Sequence, residues 1–377
     1  MMKANSKNLA LAFLVLAVGV LSLTFAQSDE MWRSASAPYE FDAERDAANH
    51  SDYRIEQWSY SGNLSAADGH RFGYQMKFIR AGVSYKPENP SRWAVRDLFI
   101  TQLALTDVDG KQFKTASRIN RAGIGWAGAS TEALHLWNDD WEIRRDQQST
   151  RLRAVDDEEG NSTAIELSLE QGRPLIAHGD DGVFQKGFLP FNASHLYSQT
   201  RMPTRGWLTI DGKRMEVSGQ SWMDHEFGTS FLEEGQKGWD VFAIQLDDGT
   251  DLMIYQIRLN DGSRDEYSIA TMVDASGRQS RLRADQFDLQ PLARWSSPAS
   301  GGSYPVKWRL TIPEKQIDLE LRAMLDDQEF HDAISIGLSY WKGSIDVAGT
   351  SSGRAVKGGG FLEMTGYVDG QRLAFGK

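Results

Sequence analysis

Seven Asp-Gly pairs punctuate the chain: Asp68-Gly69, Asp109-Gly110, Asp181-Gly182, Asp211-Gly212, Asp248-Gly249, Asp261-Gly262 and Asp369-Gly370. Between them, short runs alternate apolar and polar residues. An Asp-Gly pair tolerates the positive φ angles of a tight hairpin, and alternation with period two marks a strand with one buried face. The clearest case is "GWDVFAIQLDDGTDLMIYQIRLNDG". Here Phe242, Ile244 and Leu246 share a face, a turn follows, and Leu252, Ile254 and Gln256 return on the next strand. Helical periodicity is nearly absent. The pattern predicts an all-β antiparallel barrel or sandwich, with under about a tenth helix outside the N-terminal segment.

At 377 residues the chain exceeds most single domains, so two are expected. The stretch "GTSFLEEGQKG", Gly228 to Gly238, has charge and glycine but little strand pattern. It is the expected junction, giving domains over 27–230 and 231–377. Clefts between domains are favoured ligand sites. The lead-in "YEFDAERDAANHSDYRIEQW" reads as irregular, either lining a cavity or lying on the surface as an arm.

The chain opens Met1-Met2-Lys3, with Lys7 and then an apolar run from Leu9 to Ala26. A basic start, an apolar stretch and a small residue at the end are the parts of a signal peptide. Cleavage after Ala26 and a periplasmic or secreted location are expected. The run approaches the ~20 residues of a spanning helix, so an uncleaved anchor is the alternative. With no cysteine, disulfides, thiolate metal sites, a cysteine nucleophile and a lipoprotein anchor are excluded. Loss of Lys3 and Lys7 takes the net charge from −11 to −13 (−11 − 2). Such an acidic chain without a basic stripe argues against nucleic acid and against strong membrane-surface binding after cleavage.

One stretch departs from plain strand: "SWMDHEFG", Ser221 to Gly228. No phosphate-binding glycine loop, His-Glu-x-x-His or Gly-x-Ser-x-Gly elbow occurs anywhere. Of the seven histidines only His225 has carboxylates on both sides. Successive strand residues point to opposite faces, so Asp224 and His225 cannot serve one small ion from a regular strand. No metal and no cofactor are expected. The same alternation puts Trp222 and Asp224 on one face with Gln220 and Ser218, and gives His195 and Tyr197 of "ASHLYSQTRM" a common face. Each pair reads either as the wall of a ligand cavity or as ordinary packing beside a turn.

"SGQSWMDHEFG", followed by "GWDVFAIQLDDGTDLMIYQIRLNDG", resembles the lipocalin-like family that joins AttH-type predicted secreted hydrolases with carotenoid 1,2-hydratases. "YRIEQWSYSGNL", "LALTDVDGKQF", "RWSSPASGGSYPVKWRLTIP", "YWKGSIDVAG" and "GGGFLEMTGY" agree in order, over nearly the whole mature chain. The resemblance implies two consecutive lipocalin-like β domains with a ligand cavity near their interface. It also implies that His195 and Tyr197 match the hydratases' His-x-aromatic pair, and Trp222 and Asp224 their aromatic-x-Asp pair. Glu56, Trp58, His225, Glu226, Trp239 and Tyr255 are the further ligand-contact candidates. Departures are Glu226 where the hydratases carry Asn, and Ala47 and Gln102 where AttH-type chains carry histidines. Gln57-Ser59 flank Trp58 where Trp and Tyr are usual, and Lys342 stands where Glu is usual.

The expectation is that Asp224, Trp222, His195 and Tyr197 converge on one cavity, provided the "TRGWLTIDGKR" hairpin sets their strands side by side. His225 is expected on the opposite face. Asp224 would act as a carboxylic acid kept neutral by burial. The Trp222 and Tyr197 rings would stabilise a carbocation, and His195 would orient water. This implies acid-assisted hydration, or related lyase or isomerase chemistry, on an apolar isoprenoid or polyene. The alternatives are a non-catalytic periplasmic lipid or isoprenoid carrier and, with weaker support, a secreted ester hydrolase.

Overall fold

The computed structural model describes residues 32–370, apart from 88, 159–160, 230–231 and 333–337. The N-terminal segment with its expected cleavage point, and residues 230–231 at the expected domain boundary, lie outside the described residues. What is described is nearly all β: two antiparallel sheets, with three-residue 3-10 turns as the helical elements. The first sheet runs from the Ile55–Ser65 strand to the Lys213–Gly228 strand, and the second from Gln236–Leu246 to Arg354–Thr365.

The Asp-Gly turns behave as their chemistry requires. Gly69, Gly182, Gly212, Gly249, Gly262 and Gly370 all take positive φ. At Asp109-Gly110 the left-handed residue is instead Lys111, at φ 55°. The tightest hairpin has Asp211 at 49° and Gly212 at 74°, joining Ile210 directly to its partner Lys213.

Each sheet curls around its own core. In the first, Asn138 closes the curl by bonding Thr101 Oγ1 (2.9 Å) and accepting from Asn120 Nδ2 (2.7 Å). Trp58, Tyr60, Tyr74, Trp141 and Tyr197 fill its interior. Trp308, Trp341 and Phe242 belong to the second core. A third apolar cluster lies in the seam, where Phe184, Leu196 and Trp222 meet Ala243, Met253 and Tyr255. Polar bonds also cross the seam: Tyr340 to Gln102 at 2.8 Å, Thr106 to Gln328 at 2.6 Å, and Arg173 to Asp251 at 2.9 Å. The lead-in is no surface arm. Ala47 packs into the first core and Asp46 is fully buried.

Candidate functional site

The positions of His195 and Tyr197 relative to Asp224 follow from one irregularity. The Ala193–Ile210 and Lys213–Gly228 strands are neighbours, as the hairpin signal predicts. From Ile210↔Lys213 back to Met202↔Ser221 the register is unbroken, and carried on unchanged it would place Tyr197 beside Glu226. Instead a β-bulge between Gln199 and Met202 shifts it by one, so that Tyr197 opposes His225 and Ser198 opposes Asp224. A one-residue shift moves every side chain to the other face. The bulge includes Arg201 at φ 53°, whose guanidinium bonds Leu246 O (2.7 Å) and Thr250 O (3.0 Å) across the seam.

The expected single cavity is therefore two sites, back to back across one sheet. His195, Tyr197, Glu56, Trp58 and His225 face the first barrel's interior. Trp222, Asp224, Glu226, Trp239 and Tyr255 meet in the seam. His225 does lie opposite Asp224, but His195 and Tyr197 share its side, so His195 has no path to water activated at Asp224.

Inside the barrel, one carboxylate organises the polar groups. Glu56 Oε1 lies 2.8 Å from His50 Nδ1 and 2.9 Å from His225 Nε2, and Glu56 also accepts the His50 backbone N–H. Arg80, fully buried, contacts Glu56 Oε2 at 3.4 Å and bonds Asp97 at 3.0 Å. Burial alone would raise the Glu56 carboxyl, but the two imidazoles and Arg80 outweigh it and hold it at about 2. Burial would lower His50, yet its place between Asp46 and Glu56 raises it. Burial prevails at His225, which is lowered, and its Nδ1 lies 3.1 Å from the Tyr197 hydroxyl. The His225 ring stacks on Trp58, with centroids 4.7 Å apart. His195 packs against Tyr39 with the rings tilted by 31°, bonds Gly182 O at 2.8 Å, and is pushed down to about 4 by burial, so it is neutral. His50, Glu56 and His225 offer ligand-type atoms within 4.8 Å of one another. Their donors and acceptors are spent on each other, on Arg80, on Asp46 and on Tyr197, and the cluster reads as an internal network. Sequence spacing gave no sign of it, because its members come from positions 50, 56 and 225.

The seam holds a half-open cleft with about 60 Å³ of free space, so a larger ligand would extend past its mouth. Asp224 lies in its wall. Asp224 Oδ1 accepts from Ser198 Oγ (2.5 Å) and from Trp222 Nε1 (2.6 Å). Among the described residues, Oδ2 has no hydrogen-bond partner. Burial raises this carboxyl above the usual carboxylate range, against the lowering effect of the two donors. Ser198 can donate to Asp224 because it accepts from His178 Nε2 (2.7 Å), whose Nδ1 faces the Thr271 hydroxyl at 2.9 Å. Burial holds His178 at about 3, hence neutral, and this pattern requires its proton on Nε2.

Around Asp224 stand charged groups of which sequence reasoning selected Glu226 but not Glu363, Lys77, Lys342 or Lys186. Glu363 accepts from Lys342 at 2.7 Å, from Lys77 at 3.2 Å and from Trp239 Nε1 at 3.3 Å. Lys342 also reaches Ser59 Oγ at 3.2 Å. Burial would raise Glu363, but the two ammonium groups hold it well below its ordinary value, while burial lowers Lys342. Glu226 pairs with Lys186 and accepts from Gln57 at 2.7 Å. Lys77 stands between Met76 and Phe78, and Glu363 between Leu362 and Met364, an alternation that reads in the sequence as an outward-facing charge.

Comparison with known proteins agrees with this architecture. The AttH-like family model matches residues 34–367. An AttH protein from Nitrosomonas europaea is 29% identical with a TM-score of 0.79, covering 89% of this chain and 100% of that one. Kievitone hydratase from Nectria haematococca is 15% identical with a TM-score of 0.66, covering 89% of this chain and 96% of that one; at that identity the likeness is one of fold. No curated protein matches the chain significantly.

Proposed function

The chain belongs to the AttH-like family, and from that premise we propose that its seam cavity binds an apolar, unsaturated small molecule on which Asp224 acts as general acid. The observation that carries this reading is the Asp224 carboxyl itself. It is raised by burial, its Oδ1 is occupied by two donors, and its Oδ2 is left for a proton directed into the cavity. Transfer of that proton to an alkene carbon forms a C–H bond and leaves a carbocation and a carboxylate. The faces of Trp239 and Tyr255 border the cavity and would stabilise such a cation by roughly 0.5–2 kcal/mol per ring. Addition of water, with its proton returned to Asp224, completes a hydration. The reverse sequence is an elimination. That a hydratase is built on the same fold is compatible with this chemistry.

The basic, apolar Met1–Ala26 segment supports action outside the cytoplasm. The test is to identify by mass spectrometry what copurifies with the protein, then to incubate it with fresh protein. Wild type yields a product heavier or lighter by one water, and Asp224→Asn yields none. A bound apolar ligand returned unchanged by wild type would leave a carrier. Within this family reading, an ester hydrolase lacks a nucleophile–base pair in the cavity: Ser198 donates to Asp224 rather than to His178.

A further inference from the structure

The charges in the seam do not pair one to one. Lys186 and Glu226 form one pair. Lys342 and Lys77 both bond a single carboxylate, Glu363. Asp224 makes no ion pair among the described residues, because its bonded oxygen is taken by a serine and a tryptophan. With Asp224 protonated, as the general-acid reading requires, three ammonium groups face two ion-paired carboxylates. The second acceptor of Lys342 is Ser59 Oγ, which is neutral. A buried charge is costly unless it is paired, and this surplus sits beside the cavity rather than at the surface, for Lys77 and Lys342 are each only 7% exposed. Leu196, Val241, Ala243, Met253 and Phe361 form the apolar part of the wall, which Gln57 and Ser61 also line.

We infer that the cavity's natural ligand is an amphiphile with one carboxylate on an apolar body, and that the carboxylate seats against Lys342 as the missing counter-charge. This rests on the ligand-binding reading above and names its substrate class. A carboxylate matches the surplus of one, whereas a dianionic phosphate would reverse it. The seat also bears on the acid. Ser59, which bonds Lys342, is the direct cross-strand partner of Asp224. An anion held there repels a second negative charge on Asp224, so binding favours the protonated carboxyl, and the ligand sets the acid that acts on it.

The probes are geranic acid and geraniol, which share an apolar body and differ in charge. Binding is read by calorimetry and by quenching of tryptophan fluorescence at neutral pH. Wild type is expected to prefer the acid by roughly 10- to 100-fold, the span of a charge-assisted contact in a sheltered site. Lys342→Met makes the remaining Lys77–Glu363 pair one to one, so it should fold, keep geraniol binding and lose the preference. Lys342→Arg should retain much of it. Geraniol binding as tightly as geranic acid, or a preference that survives Lys342→Met, overturns this inference and leaves the apolar-ligand reading standing. If neither probe binds, both fall.

Discussion

Asp224→Asn separates the chemical role of this side chain from its structural one. Asparagine keeps an acceptor oxygen where Oδ1 sits, so the bonds from Ser198 and Trp222, at 2.5 and 2.6 Å, have a partner in the variant. Its amide group replaces the oxygen that points into the cavity. Loss of general-acid catalysis costs about 10²–10⁴ in rate, so turnover should fall by at least about a hundredfold. Stability should move the other way. The folded carboxyl titrates above its unfolded value because burial disfavours its charged form. Its stabilising contribution is therefore complete below the ordinary carboxyl range, near ~4, and is lost as pH rises through the folded value. Each unit of that shift is worth about 1.4 kcal/mol. Asparagine has no such loss. Thermal melts of the two proteins should coincide near about pH 4 and separate toward about pH 8, with the variant higher. A variant that melts lower at high pH, or by the same margin at every pH, would refute the claim that Asp224 is a buried acid and leave it as a hydrogen-bonded strut.

Trp222→Phe removes one donor that lowers the Asp224 carboxyl, so its titration followed by carbon NMR should move further up; a downward move contradicts the assigned bond. Glu56→Ala leaves Arg80 and His50 buried without their shared carboxylate and should cost about 3–5 kcal/mol, read as a lower melting temperature. Ligand affinity in the seam should hardly change, since Glu56 faces the other side of the sheet. The depressed Glu56 value means that its contribution is present above its unfolded value, near ~4, and is lost only as pH falls toward about 2. Arg201→Gly relieves a left-handed residue, worth on the order of 1 kcal/mol, but removes two bonds to carbonyls across the seam, worth roughly 1–3 kcal/mol together, and the ion pair with buried Asp251. The variant should melt lower, and a rise would mean that strain at the bulge outweighs its contacts.

The strands and turns were legible because their signals are local. Alternation sets the face of each residue within its own strand, and Asp-Gly turns mark where the chain reverses, so Trp222 with Asp224 and His195 with Tyr197 were correctly grouped. What alternation cannot supply is the phase of one strand against the next. That phase depends on the bulge at Thr200 and Arg201, whose residue types carry no turn signal. Neither is a glycine, and the left-handed Arg201 is held by acceptors at Leu246 and Thr250, about fifty positions on. The charged group around Glu363 escaped notice for a related reason. Lys77, Lys342 and Glu363 come from three strands of two sheets, and each alone reads as an outward-facing polar residue.

The bulge also explains how so thin a wall carries two polar clusters. At the crossing of the Ile55–Ser65 and Lys213–Gly228 strands, Gln57 pairs with Glu226, Trp58 with His225 and Ser59 with Asp224. Alternate pairs point to opposite sides, so the barrel network and the seam cavity are built from consecutive residues of the same two strands. Side chains on one face can be exchanged without touching the other, but a shift of register cannot. Deleting Gln199, upstream of the bulge, would slide the remainder of its strand by one residue against the Lys213–Gly228 strand, carrying His195 and Tyr197 into the seam and Ser198 into the barrel. Asp224 would then lose the Ser198 donor and gain Tyr197 as its cross-strand neighbour, while His225 would lose the Tyr197 hydroxyl. Both sites fail together in such a variant, whereas Glu56→Ala and Asp224→Asn each impair one. A deletion that left either site working would show that the shifted register is not what holds the two apart.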